Sequence, residues 1–321
     1  MNTAVLYNPK AGKGLPAQQV MAQLSSFLAG DRILVATPEL VLENGQTQLV
    51  MVPPSDGSYL GILSAQVQGL VDAGAQRFVT VGGDGTGTYL LTILHQLGYR
   101  MPILGIAAGT ANVGPVVSVT LDQLTGRHIS QTRLKCYDGL EVWKNGTFLS
   151  YAFNDVVIGD TFLSTVDGQM CNVSVRSLLL EGKCVPQTPS SNLIPSDFSI
   201  WKAGKRLAPQ SDKIQQIIIS TVANEAHYGR AIYGPLCQCD WLEQKGVIAL
   251  CDHIPVSTTE QDAGITRWST MQYLLFGPNE PVTLEHFSPE AAVICDGNPY
   301  FITGNSLNIY YGKQAVSTII L

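Results

Sequence analysis

The sequence has 321 residues, 45% of them hydrophobic and only 14% charged, with 31 glycines; this is the composition of a well-buried globular protein with many tight turns, and it excludes a disordered or low-complexity chain. Its 25 acidic and 19 basic residues leave a net charge of −6, whose field repels polyanions and excludes nucleic acid from the expected partners. One hydrophobic core rarely serves much more than ~250 residues, so two domains are expected.

The opening stretch Met1–Lys10 has neither the basic leader nor the apolar run of a signal peptide, and no later run approaches the ~18–20 apolar residues that span a bilayer. A soluble cytoplasmic protein without a transmembrane segment, assembling as a homo-oligomer, is expected. Seven cysteines at irregular spacing fit reduced thiols better than a disulfide framework. Cys237, Cys239, Cys251 and His253 offer four zinc ligands, but an i, i+2 pair is also what one face of a β-strand produces, and no metal site is assigned to them.

In chain order, Thr3–Tyr7 reads as a strand stopped by Asn8-Pro9, and Leu15–Leu28 as a helix ending before Gly30. Strands at Arg32–Thr37 and Gln48–Val52 follow, then a helix over Leu60–Asp72. Arg77–Val81 reads as a buried strand running into Gly82-Gly83-Asp84-Gly85, with a helix over Tyr89–Leu97 and a strand over Pro102–Ile106. This βα alternation predicts a mostly parallel sheet covered by helices, with ligands gathering beyond the carboxyl ends of the strands.

After about Gly126 the pattern changes to hairpins. Leu140–Lys144 and Thr147–Phe153 flank Asn145-Gly146, a turn pair suited to positive φ at both positions. Strand-like or apolar runs recur at Asn172–Leu180, Phe198–Trp201, Ile214–Thr221, Val247–Cys251, Val282–Phe287 and Leu307–Tyr311. The aperiodic Gly182–Pro195 reads as a mobile surface loop. The expected fold class is thus an α/β N-terminal domain with a mostly parallel sheet plus a β-rich C-terminal domain. Residues 1–126 form the nucleotide-binding part and 127–321 the substrate-binding part, with the C-terminal strands candidates to pack back on the first.

Three glycine-bearing stretches fall at strand ends: Asn8-Pro9-Lys10-Ala11-Gly12-Lys13-Gly14, Gly82-Gly83-Asp84-Gly85-Thr86, and Gly109-Thr110-Ala111-Asn112. Glycine lets the main chain approach phosphate oxygens, and a helix N-terminus just beyond supplies unpaired N–H donors. Neither a Walker A motif nor a clean G-x-G-x-x-G is present. Taken singly, each loop is equally an ordinary turn in which Asp84 or Thr86 caps the next helix.

Together the three stretches resemble the ordered motifs of diacylglycerol kinases and related lipid kinases, and the GGDGT run is shared with NAD kinases. Tyr151-Ala152-Phe153-Asn154-Asp155 is similar to the strand carrying the Asn-Glu/Asp substrate motif of NAD kinases. Thr221, Tyr228 and Gly234-Pro235 fall where that family has its Thr-, Tyr- and Gly-Gly-Pro-containing stretch, although Asn224–His227 depart from its Gly-Ser-Thr-Ala. Asp296-Gly297 resembles the closing turn of both families. Lipid kinases carry carboxylates where this chain has Val113 and Asn298. The acetoin-operon relatives of NAD kinase are a further likeness.

The resemblance implies an ATP-dependent phosphotransferase with an alcohol acceptor, most similar to NAD kinase acting on the NAD 2′-hydroxyl. A diacylglycerol- or sphingosine-type lipid kinase, or a nucleotide-binding protein without turnover, is the alternative. ATP and Mg²⁺ are the implied cofactors, with polyphosphate as another possible donor. Asp84 is the implied catalytic group, accepting the hydroxyl proton; at an ordinary pKa of ~3.9 it is a weak base, adequate where the proton leaves late. Asn8, Lys10, Gly12, Gly82, Gly83, Gly85, Thr86, Gly109, Thr110 and Asn112 would hold the nucleotide. Asn154, Asp155, Thr221 and Tyr228 would bind the small-molecule substrate, NAD or a lipid or polyol.

Overall fold

The computed structural model describes residues 1–12, 14–109, 112, 114–166, 169–189, 193–210, 213–222, 245–255, 269–302 and 306–321. The chain divides into two compact units, one made of residues 1–137 and 314–321 and the other of 138–313.

The first unit is a parallel sheet with helices. Its elements are β1 (Asn2–Tyr7), α1 (Ala17–Phe27), β2 (Arg32–Val35), β3 (Thr47–Leu49), α2 (Tyr59–Asp72), β4 (Arg77–Gly82), α3 (Asp84–Gln96) and β5 (Ile103–Ala107). The lateral order is β3-β2-β1-β4-β5, every neighbouring pair parallel. Central position explains composition: Thr3–Leu6 and Phe78–Gly82 are buried without interruption, as strands covered on both faces require. Helix α1 lays Val20, Met21, Leu24 and Phe27 into the core on one stripe.

Helix α3 begins at Asp84, not at Tyr89 as the apolar spacing predicts. Gly85, Thr86, Gly87 and Thr88 are poor helix formers, but Asp84 and Thr86–Thr88 are buried, so packing outweighs their intrinsic preference. Gly87 shows why a small residue is needed there: a Cβ would lie 3.2 Å from Val116 side-chain atoms.

The second unit is built from antiparallel strands. After β6 (Arg133–Lys144) come β7 (Thr147–Ala152), β8 (Asp155–Gly159), β9 (Thr161–Val166), β10 (Gln169–Ser174), the helix α4 (Val175–Glu181), β11 (Ser199–Lys202), β12 (Lys205–Leu207), β13 (Gln216–Val222), β14 (Lys245–Cys251), β15 (Met271–Phe276), β16 (Val282–Glu285), β17 (Ala292–Cys295), β18 (Asn298–Phe301) and β19 (Ser306–Ile320). One sheet runs β15-β14-β13-β8-β17-β18, β9 and β10 pair with each other, and β12-β11-β16-β19 form a further antiparallel run beside the β6–β7 hairpin. Leu140, Val156, Ile158, Ile217, Ile219, Val293 and Ile309 belong to the shared core.

Strand β19 serves both units. Its residues up to Lys313 belong to the second, and from Gln314 onward to the first, where Thr318 pairs in parallel with Ile103 of β5. Ser118 donates to the Ile319 carbonyl at 2.9 Å and Thr318 to the Pro115 carbonyl at 3.2 Å.

Asn145-Gly146 has φ of 49° and 77°, the two-residue turn its sequence predicts between β6 and β7. The run predicted as one strand or apolar stretch over Asn172–Leu180 instead breaks at Ser174, whose side chain accepts the Ser177 N–H at 3.3 Å and starts α4. Leu193 and Ile194, in the predicted surface loop, are buried. Among the described residues no helix is long and apolar enough to cross a membrane.

Candidate active site

Because β2, β1, β4 and β5 lie side by side, ~4.8 Å apart, their carboxyl ends form a row of loops. In lateral order these are Thr37–Glu39, Asn8–Lys10, Gly82–Thr86 and Ala107–Asn112. The β1 loop is pinned to β4, since the Asn8 N–H donates to the Val81 carbonyl at 2.9 Å. The β5 loop is pinned likewise, through the N–H groups of Ala108 and Gly109, which donate to the Gly82 carbonyl at 2.9 and 3.2 Å.

Gly83 and Gly109 meet backbone to backbone. A Cβ on Gly109 would stand 2.8 Å from the Gly83 Cα and 2.9 Å from Asn112 Oδ1, so the approach admits no side chain at residue 109. On Gly82 a Cβ would meet Thr86 Oγ1 at 2.6 Å. The Asn8 amide is oriented from both ends, its Oδ1 accepting the Lys10 N–H at 3.0 Å and its Nδ2 donating to Thr86 Oγ1 at 3.2 Å. Gly12 lies beyond Lys10 in the same turn, and Gly85 sits in the first turn of α3. Asn112 donates to the Gly109 carbonyl at 3.1 Å, while its own buried Oδ1 has no hydrogen-bond partner among the described residues. Thr110, Val113 and Lys13 lie outside them.

Asp84 is only 6% exposed and is the first residue of α3. The N-cap is Gly83, without a side-chain capping bond, so neither Asp84 nor Thr86 is the cap. Instead the Asp84 carboxylate accepts the Gly114 N–H, 3.3 Å from each oxygen. A buried carboxylate at a helix start, among bare glycine backbone, is favoured by the positive end of the helix dipole.

Beside this row lies a cavity of about 510 Å³. Leu6, Ala17, Ile62 and Leu63 give it apolar walls, while Asn8, Lys10, Thr37, Glu39, Gln66 and Thr86 bring polar groups to it and Tyr59 an aromatic ring. Motif reading missed Thr37, Glu39, Tyr59 and Gln66. The rule that ligands gather at carboxyl ends of strands would have nominated Thr37 and Glu39; nothing in the spacing marks Tyr59 or Gln66, which α2 delivers from a distance in sequence.

In the second unit, the stretch Tyr151–Ile158 is two strands with a bend at Phe153-Asn154. The bend is held by Asp296, whose carboxylate accepts the N–H groups of Phe153 and Asn154 at 2.8 Å each and of Asp155 at 3.1 Å. Asp296 and Gly297 have φ of 48° and 80°, forming the tight turn between β17 and β18. Asn154 is buried, its carbonyl accepting the Ser220 hydroxyl, and Thr221 is the next residue on β13. Asp155 is half-buried at the start of β8. Tyr228 lies outside the described residues.

So do Cys237 and Cys239. Cys251 is buried in β14, and burial, with the neighbouring Asp252 charge, pushes its thiol up to about 12. His253 instead pairs through Nδ1 with Asp252 at 2.7 Å. No cluster of three or more metal-ligating side chains occurs among the described residues.

Residues 2–122 match the diacylglycerol kinase catalytic domain family. Over 304 residues the chain is 27% identical to an uncharacterized protein of Archaeoglobus fulgidus, covering 93% of this chain and 92% of the relative. Yeast NADH kinase, solved as a complex with NADH, superposes with a TM-score of 0.58 at 12% identity, over 100% of this chain and 82% of that one. A diacylglycerol kinase from Bacillus anthracis str. Sterne gives 0.56 at 13% identity, over 100% and 97%. At such identities the structural likeness speaks to fold alone. Residues 2–122 are therefore similar to the diacylglycerol kinase catalytic domain family, and the chain as a whole has the fold seen in yeast NADH kinase and in the Bacillus anthracis diacylglycerol kinase.

Proposed function

We propose that the protein transfers the γ-phosphoryl group of ATP to an alcohol, with the donor bound on the first unit. The observation that carries the reading is the buried Asp84 carboxylate at the start of α3, near Gly82 and Gly109, where a side chain would collide, and next to a cavity of about 510 Å³. The cavity receives the nucleoside against Leu6, Ile62, Leu63 and Tyr59. The phosphates extend toward the Asn8, Lys10 and Thr86 side chains and the N-terminal turn of α3, the positive end of its helix dipole.

In this mechanism the acceptor oxygen attacks the γ-phosphorus, the bond to the β,γ-bridging oxygen breaks and ADP leaves. Asp84 takes the hydroxyl proton and later returns it to water. Phosphoryl transfer asks mainly for positioning and charge neutralisation, which the fixed loops and Lys10 supply. A Mg²⁺ ion fits the donor set: it needs one or two carboxylates besides phosphate oxygens and water, Asp84 provides a carboxylate, Asn112 Oδ1, close to Gly83 and Gly109 and without a partner among the described residues, provides an oxygen, and bound there it would neutralise phosphate charge.

For the acceptor we favour the 2′-hydroxyl of a nicotinamide dinucleotide. Asn154 and Asp155 set an amide beside a carboxylate on a bend that Asp296 holds rigid, a pairing suited to a ribose diol. The second reading, a lipid alcohol, is supported by the diacylglycerol kinase match over residues 2–122. A screen for ADP release with NAD⁺, NADH, diacylglycerol, sphingoid bases and sugars tests both. Turnover with a dinucleotide alone sustains the first, turnover with lipid replaces it by the second, and ATP binding without ADP release from any acceptor overturns catalysis.

A further inference from the structure

We propose that Glu39 is a specificity-determining residue of the donor site, its carboxylate accepting the ribose 2′- and 3′-hydroxyls of the nucleotide and so selecting ribonucleotides over their deoxy forms. The inference rests on the kinase reading above and deepens it.

Glu39 is held just past the carboxyl end of β2. That strand is buried over Ile33–Val35, and after Thr37 the chain makes a single 3-10 turn over Pro38–Leu40. Pro38 fixes φ at the start of the turn. The Leu40 N–H donates to the Thr37 carbonyl at 3.2 Å and the Val41 N–H to the Pro38 carbonyl at 3.0 Å. Leu40 itself is buried and ties the turn into the core that α1 shares. With one neighbour locked by its ring and the other by burial, Glu39 is left exposed, and it lines the cavity. Its carboxylate makes no hydrogen bond or ion pair with the described residues, so its acceptor oxygens are open to a ligand.

The layout of the cavity sets which part of a nucleotide meets this carboxylate. The β4 and β1 loops take the phosphates in the reading above, and β2 is the next strand across, paired with β1 from Asn2↔Arg32 to Val5↔Val35. Another wall is one face of α2, where Tyr59, Ile62, Leu63 and Gln66 stand at i, i+3, i+4 and i+7; its largely apolar surface suits a base. The sugar joins phosphates to base, and the β2 end is the part of the lining left for it.

Chemistry makes the same assignment. An ionised carboxylate only accepts hydrogen bonds, and beside a polyphosphate it repels, so it belongs where the ligand donates. The ribose hydroxyls donate from adjacent carbons, one to each carboxylate oxygen. An acidic residue past the second strand of a βαβ unit meets the ribose in this way in dinucleotide-binding folds. The exocyclic amino group of the base is the competing donor, and deoxy nucleotides separate the two.

The test is calorimetric titration of the full chain with ATP, 2′-deoxy-ATP and 3′-deoxy-ATP, with Mg²⁺ and without an acceptor. Wild type is expected to bind each deoxy form about tenfold more weakly than ATP, the lower end for hydrogen bonds to a charged group because Glu39 is exposed. Glu39→Ala should bind all three within about twofold of one another, at the wild-type melting temperature, since a single ribose contact is all that distinguishes them. Glu39→Gln, which keeps one uncharged acceptor, should retain a gap of about threefold. Equal binding of the three nucleotides by wild type would overturn the role of Glu39. An undiminished gap in Glu39→Ala, with all three nucleotides weakened alike, would also overturn it and give the carboxylate to the amino group of the base. Either result leaves the donor site standing, whereas failure of wild type to bind ATP overturns the kinase reading and this inference with it.

Discussion

On the proposed mechanism Asp84 combines a proton acceptor with the anchor of Gly114, and substitution separates the two. Asp84→Asn keeps an oxygen for the Gly114 N–H but removes the proposed proton acceptor. It is expected to lower kcat by roughly 10²-fold or more with little change in melting temperature; a variant that turned over normally would reduce the carboxylate to a fastener for residue 114. The two glycines beside it should differ. A methyl on Gly109 would stand 2.8 Å from backbone, one on Gly83 3.4 Å, so Gly109→Ala should lose most ATP affinity and some stability while Gly83→Ala stays near wild type, as paired ATP titrations and melts will show. These glycines were legible in the sequence because bare backbone is encoded by residue type. Tyr59 and Gln66 were not, since they reach the cavity only once α2 packs beside β1 and α3. Nor does residue type show that Asp296 is the group that fixes the bend before Asp155.

Whole elements follow the same division. Strands β1, β2, β4 and β5 and helices α1 and α2 were readable from apolar runs and periodicity, whereas the first turn of α3 was hidden by its glycines and threonines. The break between β7 and β8 was hidden too, because its cause lies at Asp296, far along the chain. Asp296→Ala should strip the acceptor from three backbone N–H groups. At ~1–3 kcal/mol for each buried donor left unpaired, a loss of about 3 kcal/mol or more is expected in urea unfolding. At the opposite strand ends, Asp31 pairs with Arg77 and accepts the Thr3 hydroxyl at 2.6 Å. Burial pushes the Asp31 carboxyl up, but the Thr3 and Arg77 hydrogen bonds outweigh it and hold the group below its ordinary value. A carboxylate depressed in the folded state adds stability above its unfolded pKa, ~3.9, and that stability is lost as pH falls through the lower folded value. Asp31→Asn should therefore be less stable than wild type at pH 7, with the difference shrinking below about pH 4; denaturant titrations across that range check it, and a gap constant with pH would remove the charge from the explanation.

On the scale of the whole molecule, the change from βα alternation to hairpins was visible in composition, because parallel sheets need helices between strands and antiparallel ones need only turns. What local pattern did not reveal is that one strand, β19, supplies residues to both units. Deleting residues 314–321 should leave β5 without the partner at Thr318 and uncover the core around buried Ile319. Amide hydrogen exchange in β5 is then expected to rise sharply while β13 and β14 keep their protection; unchanged protection in β5 would make the last strand dispensable. The shared strand also bears on how the protein is made. Residue 137 leaves the ribosome with the sheet of the first unit still lacking its final strand, and 176 residues of the second unit, 138–313, must be synthesised before that strand arrives. At ~5–20 residues per second that is roughly 10–35 s. During this interval the open edge of β5 is a nascent-chain hazard, and the loops at the carboxyl ends of β4 and β5 reach their final order only after residues 314–321 have been made.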